Sequence, residues 1–251
     1  MTDRVGWRRV EQIMGTAISL DIADPLPPDE LAAATDEVFA WLRLVDARFS
    51  TYRDDSEVSL IGALPEARRS ADLRHVLDEC ARLWETTGGY FDAYATGRFD
   101  PSGYVKGWSV RVASEQLAAR GVGNHCLNAG GDVCLRGRSS SGRPWRVGIR
   151  HPSQASGLSW VLELTDAAVA TSGSYERGPH VVDPFTGRGA TALRSVTVVG
   201  PDLGVADAYA TAAMAMGRAG VAWLAELPDH EFAVVADDGR TYRSAGLPAV
   251  A

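Results

Sequence analysis

Near the start of the chain the spacing of apolar residues changes period. Apolar positions alternate over Ala17 to Ile22, which predicts a strand. After a turn at Asp24 to Pro28 they recur at helical spacing, at Leu31, Val38, Trp41, Leu42 and Val45, so a helix with one apolar stripe should pack there on a sheet. A second helix is predicted over Ala71 to Thr86, with Leu73, Val76, Leu77, Cys80, Leu83 and Trp84 on its apolar side and a stop at Gly88-Gly89. A third is predicted over Val105 to Arg120, ending at Gly121. Short β-like runs follow at His125 to Asn128, Val133 to Arg136, Trp145 to Ile149, Trp160 to Leu164 and Ala167 to Thr171, separated by Gly, Ser and Pro, which reads as an antiparallel meander. The strand Ser195 to Val199, an Ala-rich helix from Val205 to Met216, and a closing pair, Phe232 to Ala236 and Thr241 to Arg243, complete the pattern.

The 251 residues, 45% hydrophobic and 23% charged, are enough to bury a sizeable core. With no internal repeat and no long linker, a single domain over residues 1–251 is expected. A net charge of −7 without a Lys/Arg cluster argues against nucleic acid as a partner, which requires a concentrated positive surface. The segment Met1 to Leu20 has no apolar run long enough for a signal peptide or membrane anchor, so cytoplasmic residence is expected. Cys80, Cys126 and Cys134 are odd in number and widely spaced, the pattern of buried reduced thiols rather than of a disulfide framework or a zinc site.

Five short stretches carry candidate chemistry, and each also has a purely structural reading. Asp207 and Thr211 lie four residues apart on the Ala-rich helix, so a carboxylate and a hydroxyl share one face; two hard oxygens suit Mg²⁺ if a phosphorylated ligand supplies the rest, although Asp207 near a helix start also complements the dipole. Asn128-Ala129-Gly130-Gly131-Asp132 is a hairpin turn that lets a ligand approach the backbone. Ala170-Thr171-Ser172-Gly173-Ser174 is either a turn or a phosphate cradle. In His180-Val181-Val182-Asp183-Pro184-Phe185-Thr186-Gly187 the imidazole is suited to take a proton near neutral pH, or is an ordinary hydrogen-bonded histidine. Asp100 to Gly107 puts Lys106 near a helix start, where it can meet phosphate or simply be solvated.

Taken in order, Met14-Gly15-Thr16, Phe49 to Tyr52 with Asp55 to Ser59, Gly89-Tyr90-Phe91-Asp92, Asp100 to Gly107, Asn128 to Asp132, Ala170 to Gly173, His180 to Gly187 and Ala206 to Ala212 resemble the ApbE family of FAD:protein FMN transferases across nearly the whole chain. The resemblance implies an α/β fold of the α+β type, with mixed and antiparallel sheets packed with helices around a central cleft. It implies that Asp207, Thr211 and the carbonyl of Gly103 hold Mg²⁺ beside the pyrophosphate of FAD, the substrate. Met14, Tyr52, Tyr90, Phe91, Asp92, Asp100 and Lys106 would contact FAD, together with the turn residues Asn128, Gly130, Gly131 and Asp132. Thr171, Ser172, Gly173 and Val181 would complete the FAD site, and His180 would be the base that deprotonates a Thr or Ser of an acceptor protein, with AMP leaving. An FAD pyrophosphatase giving FMN and AMP, or an FAD-binding protein without turnover, are the alternatives. Family members usually carry a long segment where this chain has only Ala93 to Phe99, and the segment between Gly173 and His180 is also short.

Overall fold

The computed structural model describes residues 6–154, 156–173 and 181–250. Strands β1 (Trp7–Ile13) and β2 (Thr16–Ile22) form a hairpin, of which only β2 was expected. β1 escapes the alternation rule because Arg8, Arg9 and Glu11 occupy its length and only Ile13 is fully buried. Such charged residues suit a sheet edge, where they discourage pairing with another chain.

Helix α1 (Pro28–Phe49) buries Leu31, Val38, Leu42 and Val45, and the half-buried Trp41 donates its indole N–H to the carbonyl of Ser109 (2.9 Å). Helix α2 (Ala71–Thr86) is capped by the Ser70 hydroxyl, which accepts from the Leu73 N–H (3.0 Å). Leu73, Val76, Cys80 and Leu83 are buried as expected, whereas Trp84 is 52% exposed, since one further helical step past Leu83 turns it toward solvent. Helix α3 (Ser102–Ala119) begins three residues earlier than its apolar run, because Asp100 accepts the Ser102 N–H (3.1 Å) and Pro101 provides a natural start.

Strands β3 (His125–Ala129), β4 (Asp132–Arg136), β5 (Trp145–Arg150), β6 (Leu158–Leu164) and β7 (Ala167–Gly173) follow, then the short pair β8 (Val182–Asp183) and β9 (Arg188–Gly189). After β10 (Leu193–Gly200) come helices α4 (Leu203–Met216) and α5 (Arg218–Ala225), and strands β11 (Glu231–Ala236), β12 (Thr241–Arg243) and β13 (Ala249–Val250). The main sheet has eight strands in the order β1-β2-β3-β4-β7-β10-β11-β12, and every described strand pair is antiparallel. The simple meander expected across residues 125–171 is interrupted: β5 and β6 leave the main sheet to pair with each other and with β13, and β4 pairs directly with β7.

The burial pattern explains this detour. Val133, Leu135, Val169 and Val199 face one way and pack with Ile149, Leu162 and Leu164 of the smaller sheet. Ala168, Ala170, Val196 and Val198 face the opposite way, onto the helices. The middle of the main sheet is therefore covered on both sides, which its nearly continuous apolar strands require. Among the described residues no helix is long and apolar enough to cross a membrane. Cys80, Cys126 and Cys134 are free, and burial pushes the Cys80 and Cys126 thiols up to about 12, so both stay protonated and unreactive.

Candidate active site

Two hairpin tips lie side by side because β2 pairs with β3. In the first, Ile13 pairs with Thr16, leaving Met14 (φ 54°) and Gly15 (φ 70°) as a two-residue loop; in the second, Ala129 pairs with Asp132, leaving Gly130 (φ 61°) and Gly131 (φ 103°). Positive φ at both loop positions matches the twist of the strands. For Met14, a side chain with no glycine freedom, that conformation is strained and sets the residue at a place where backbone shape matters more than comfort. The tips touch: a Cβ on Gly130 would fall 2.4 Å from the Thr16 hydroxyl oxygen.

Helices α3 and α4 cross beside these tips at unusually short range. A Cβ on Gly107 would lie 2.5 Å from the Leu203 carbonyl oxygen, and one on Gly204 would lie 2.8 Å from the Tyr104 ring. The close crossing sets Lys106 of α3 next to Asp207 of α4, with their Nζ and Oδ2 atoms 3.7 Å apart. Thr211 follows Asp207 one turn along, its hydroxyl 3.3 Å from the Ser172 hydroxyl of β7. Gly103 faces the same threonine, since a Cβ there would stand 3.5 Å from the Thr211 hydroxyl oxygen. Because α3 already includes Gly103, its carbonyl also points toward the N–H of Gly107 in the helical ladder and has one lone pair left for any further partner.

These elements border a cleft of about 830 Å³. It brings together Met14, Tyr52, Tyr90, Phe91, Asp92 and Asp100 with Gly103, Lys106 and Gly130. Thr171, Ser172, Gly173, Val181, Asp207 and Thr211 line it as well. Thr16, Asp46 and Phe49 also face the cleft; Thr16 and Phe49 belong to the Met14 to Thr16 and Phe49 to Tyr52 motifs, whereas Asp46, next to the apolar Val45, carried no signal of its own.

Three expected contacts stand elsewhere. Asn128 and Gly131 are not in the lining: the Asn128 side chain accepts the Gly131 N–H (2.9 Å) and so holds the turn itself. Asp132 lies beneath the cleft, 1% exposed, with Oδ1 accepting the Thr171 N–H (2.9 Å) and Oδ2 in an ion pair with Lys106. His180 lies outside the described residues; Val181, next in sequence, lines the cleft. The short Ala93 to Phe99 segment closes on itself, with the Asp100 N–H donating to the Ala93 carbonyl (2.7 Å) and Phe99 buried against Tyr94 (ring centroids 5.2 Å apart). One flank of the cleft is thus formed by Ala93, Ala95 and Thr96.

The electrostatics centre on Asp207, which is 4% exposed. Its Oδ2 is buried and receives no hydrogen bond. Burial raises its carboxyl above the usual carboxylate range, Lys106 opposes the rise and the neighbouring Asp132 adds to it. A buried carboxylate oxygen without a donor, beside a hydroxyl and a carbonyl, fits a hard divalent cation. Among the described residues no three His, Cys, Asp or Glu side chains converge.

The model of the ApbE family matches residues 14–98 and 95–235. A protein of Vibrio cholerae named FAD:protein FMN transferase is 37% identical over 129 residues, covering 47% of this chain and 39% of that relative, so the matched stretch spans well under two thirds of the relative's length. The solved structure titled flavin transferase ApbE from Vibrio cholerae superposes with a TM-score of 0.80 at 26% identity, covering 96% of this chain and 98% of the other. An ApbE protein structure from Thermotoga maritima gives a TM-score of 0.85 over 96% and 97% of the two chains; at 20% identity it speaks for the fold alone.

Proposed function

Because the chain belongs to the ApbE family, we propose that it is a Mg²⁺-dependent transferase that moves the FMN half of FAD onto a Thr or Ser hydroxyl of an acceptor protein and releases AMP. The observation that carries this reading is the meeting of Lys106, Asp207 and Thr211 in one cleft, with a buried Asp207 oxygen that lacks a donor. The name of the Vibrio cholerae relative supports FAD as the substrate and a protein as the acceptor.

In the proposed reaction Asp207, Thr211 and the Gly103 carbonyl would hold Mg²⁺, which when bound would neutralise charge on the pyrophosphate. Lys106 meets the same phosphates as a point charge. The Thr171 to Gly173 end of β7 offers hydroxyls and backbone to the phosphates from the facing wall. Met14, Tyr52 and Tyr90 to Asp92 bound the part of the cleft left for the rings of FAD. His180 takes the proton of the acceptor hydroxyl as the new oxygen–phosphorus bond forms at the FMN phosphate; the anhydride bond breaks, and AMP departs with the bridging oxygen. Phosphoryl transfer of this kind depends chiefly on alignment and charge neutralisation, so no nucleophile on the enzyme is needed. The chain acts as one domain in this reading, because lining residues come from both its ends and its centre. The three free thiols are in keeping with a cytoplasmic enzyme.

The test is to incubate the purified protein with FAD and Mg²⁺ and to measure AMP with and without an acceptor protein. AMP formation that depends on acceptor is the expected result; AMP formed equally without acceptor would favour an FAD pyrophosphatase, and none in either case would leave a binding protein. His180→Ala should keep FAD affinity and lose on the order of 10²–10⁴-fold in transfer rate, with partial recovery at high pH. Loss of FAD affinity in step with rate would remove the base assignment.

A further inference from the structure

Asp132 joins the two walls of the cleft without touching its interior. It is 1% exposed, and its two oxygens have separate partners: Oδ1 takes the Thr171 N–H of β7 at 2.9 Å, and Oδ2 takes the Lys106 ammonium of α3 in an ion pair. The same ammonium stands 3.7 Å from Asp207 Oδ2 in a longer ion pair, and neither of the two Oδ2 atoms has a well-formed hydrogen bond. Lys106 thus lies between two buried carboxylates and is bound to the one that faces away from the cleft.

We propose that Asp132 is a positioning residue that tethers Lys106 and thereby keeps the Asp207 carboxylate available to a divalent cation. This rests on the reading of Asp207 as the metal carboxylate. A lysine carries a compact charge on a flexible four-carbon stem, and without its tether it would move toward the next buried carboxylate in reach. That carboxylate is Asp207, and the oxygen it would close on is the Oδ2 that the ammonium already faces at 3.7 Å. The lysine would then occupy the place of the cation. Tethered, it would still line the cleft, where a ligand phosphate could meet it. Asp132 also anchors Thr171, whose neighbour Ser172 contacts Thr211, so a single side chain fixes the lysine and the β7 wall relative to each other.

Asp132→Asn isolates the tether, because the amide keeps the size of the side chain and an oxygen for the Thr171 N–H while its NH₂ group cannot hold an ammonium. The measurement is Mn²⁺ binding to the purified protein without FAD, by calorimetry or electron paramagnetic resonance, for wild type, Asp132→Asn, Lys106→Gln and the double variant, with circular dichroism to confirm the fold. Asp132→Asn should weaken Mn²⁺ binding by about tenfold or more, roughly the effect of one lost or gained charge contact. Lys106→Gln should bind at least as tightly as wild type, because no ammonium competes. In the Lys106→Gln background, Asp132→Asn should change binding by less than about threefold, since the tether has nothing left to hold. Weaker binding by Lys106→Gln overturns the proposal even where Asp132→Asn fails to fold. An undiminished Asp132→Asn effect in the double variant overturns it as well, by showing that Asp132 acts on the metal directly. Unchanged binding by Asp132→Asn overturns the tether alone, whereas a wild type that binds no Mn²⁺ removes the metal assignment of Asp207 together with it.

Discussion

Asp207 combines two properties that conflict in a protein without a bound cation: it is buried, and one of its oxygens has no donor. Desolvation without a compensating partner is costly, so metal-free Asp207→Asn should unfold at a temperature no lower than metal-free wild type. In contrast, Asp207→Ala should abolish AMP release while leaving the circular dichroism spectrum intact, and EDTA should do the same to wild type. Undiminished release by the alanine variant in Mg²⁺ would sink the metal assignment. His125 is a different kind of buried polar residue. Its Nδ1–H donates to the Val122 carbonyl (3.0 Å) and its Nε2 accepts from the Ser114 hydroxyl (2.7 Å), an arrangement that suits the neutral ring. Burial lowers its pKa from 6.5 to about 4. Between those values the unfolded chain binds a proton that the folded protein refuses, so stability should fall as pH drops from 6.5 toward 4, by up to about 3 kcal/mol from this residue. Urea unfolding across that range checks it, and a slope that His125→Gln leaves untouched would assign the pH dependence to other groups.

At the scale of elements, the α3–α4 crossing determines whether Lys106 and Asp207 meet at all. Gly107→Ala would drive a methyl group into the Leu203 backbone, 2.5 Å from its carbonyl oxygen, and should cost about 2–3 kcal/mol in urea unfolding together with a loss of activity. Gly62→Ala, where nothing lies within 4 Å, is the control and should be nearly silent. A Gly107→Ala protein as stable and active as the control would show that the helices can part without consequence. Helices α1 to α4 were legible from apolar spacing, and α2 ended where its glycines predicted, whereas the short α5 directly after Gly217 was not expected. β1 was not legible, because an edge strand carrying Arg8, Arg9 and Glu11 lacks the alternation that betrays a strand. Nor was the division into two sheets: β5 and β6 read like their neighbours, and only the need to cover Val133, Val169 and Val199 from the far side separates them. Asp132 sat in a turn motif that pointed to ligand contact, and its partners within the protein, Lys106 and Thr171, are remote in sequence, so no local pattern revealed them.

For the molecule as a whole, the cleft exists because the sheet order gathers distant segments. The β1–β2 and β3–β4 tips, the end of α1, the loop after α2, the start of α3, the middle of α4 and the end of β7 all contribute to its lining. Each segment is a weak signal by itself, a turn or a helix start, and only their order along the chain made them legible as one site. The short Ala93 to Phe99 loop forms one flank of that site through Ala93, Ala95 and Thr96, and Tyr52, 93% exposed, stands among its lining residues. The most direct measurement follows both products at once: the acceptor protein by intact mass spectrometry and AMP by chromatography, after incubation with this protein, FAD and Mg²⁺. The expected result is an acceptor that gains covalently bound FMN in equal amount to the AMP released, with neither product formed in EDTA. AMP without any modified acceptor, or modified acceptor in the absence of a divalent cation, would contradict it.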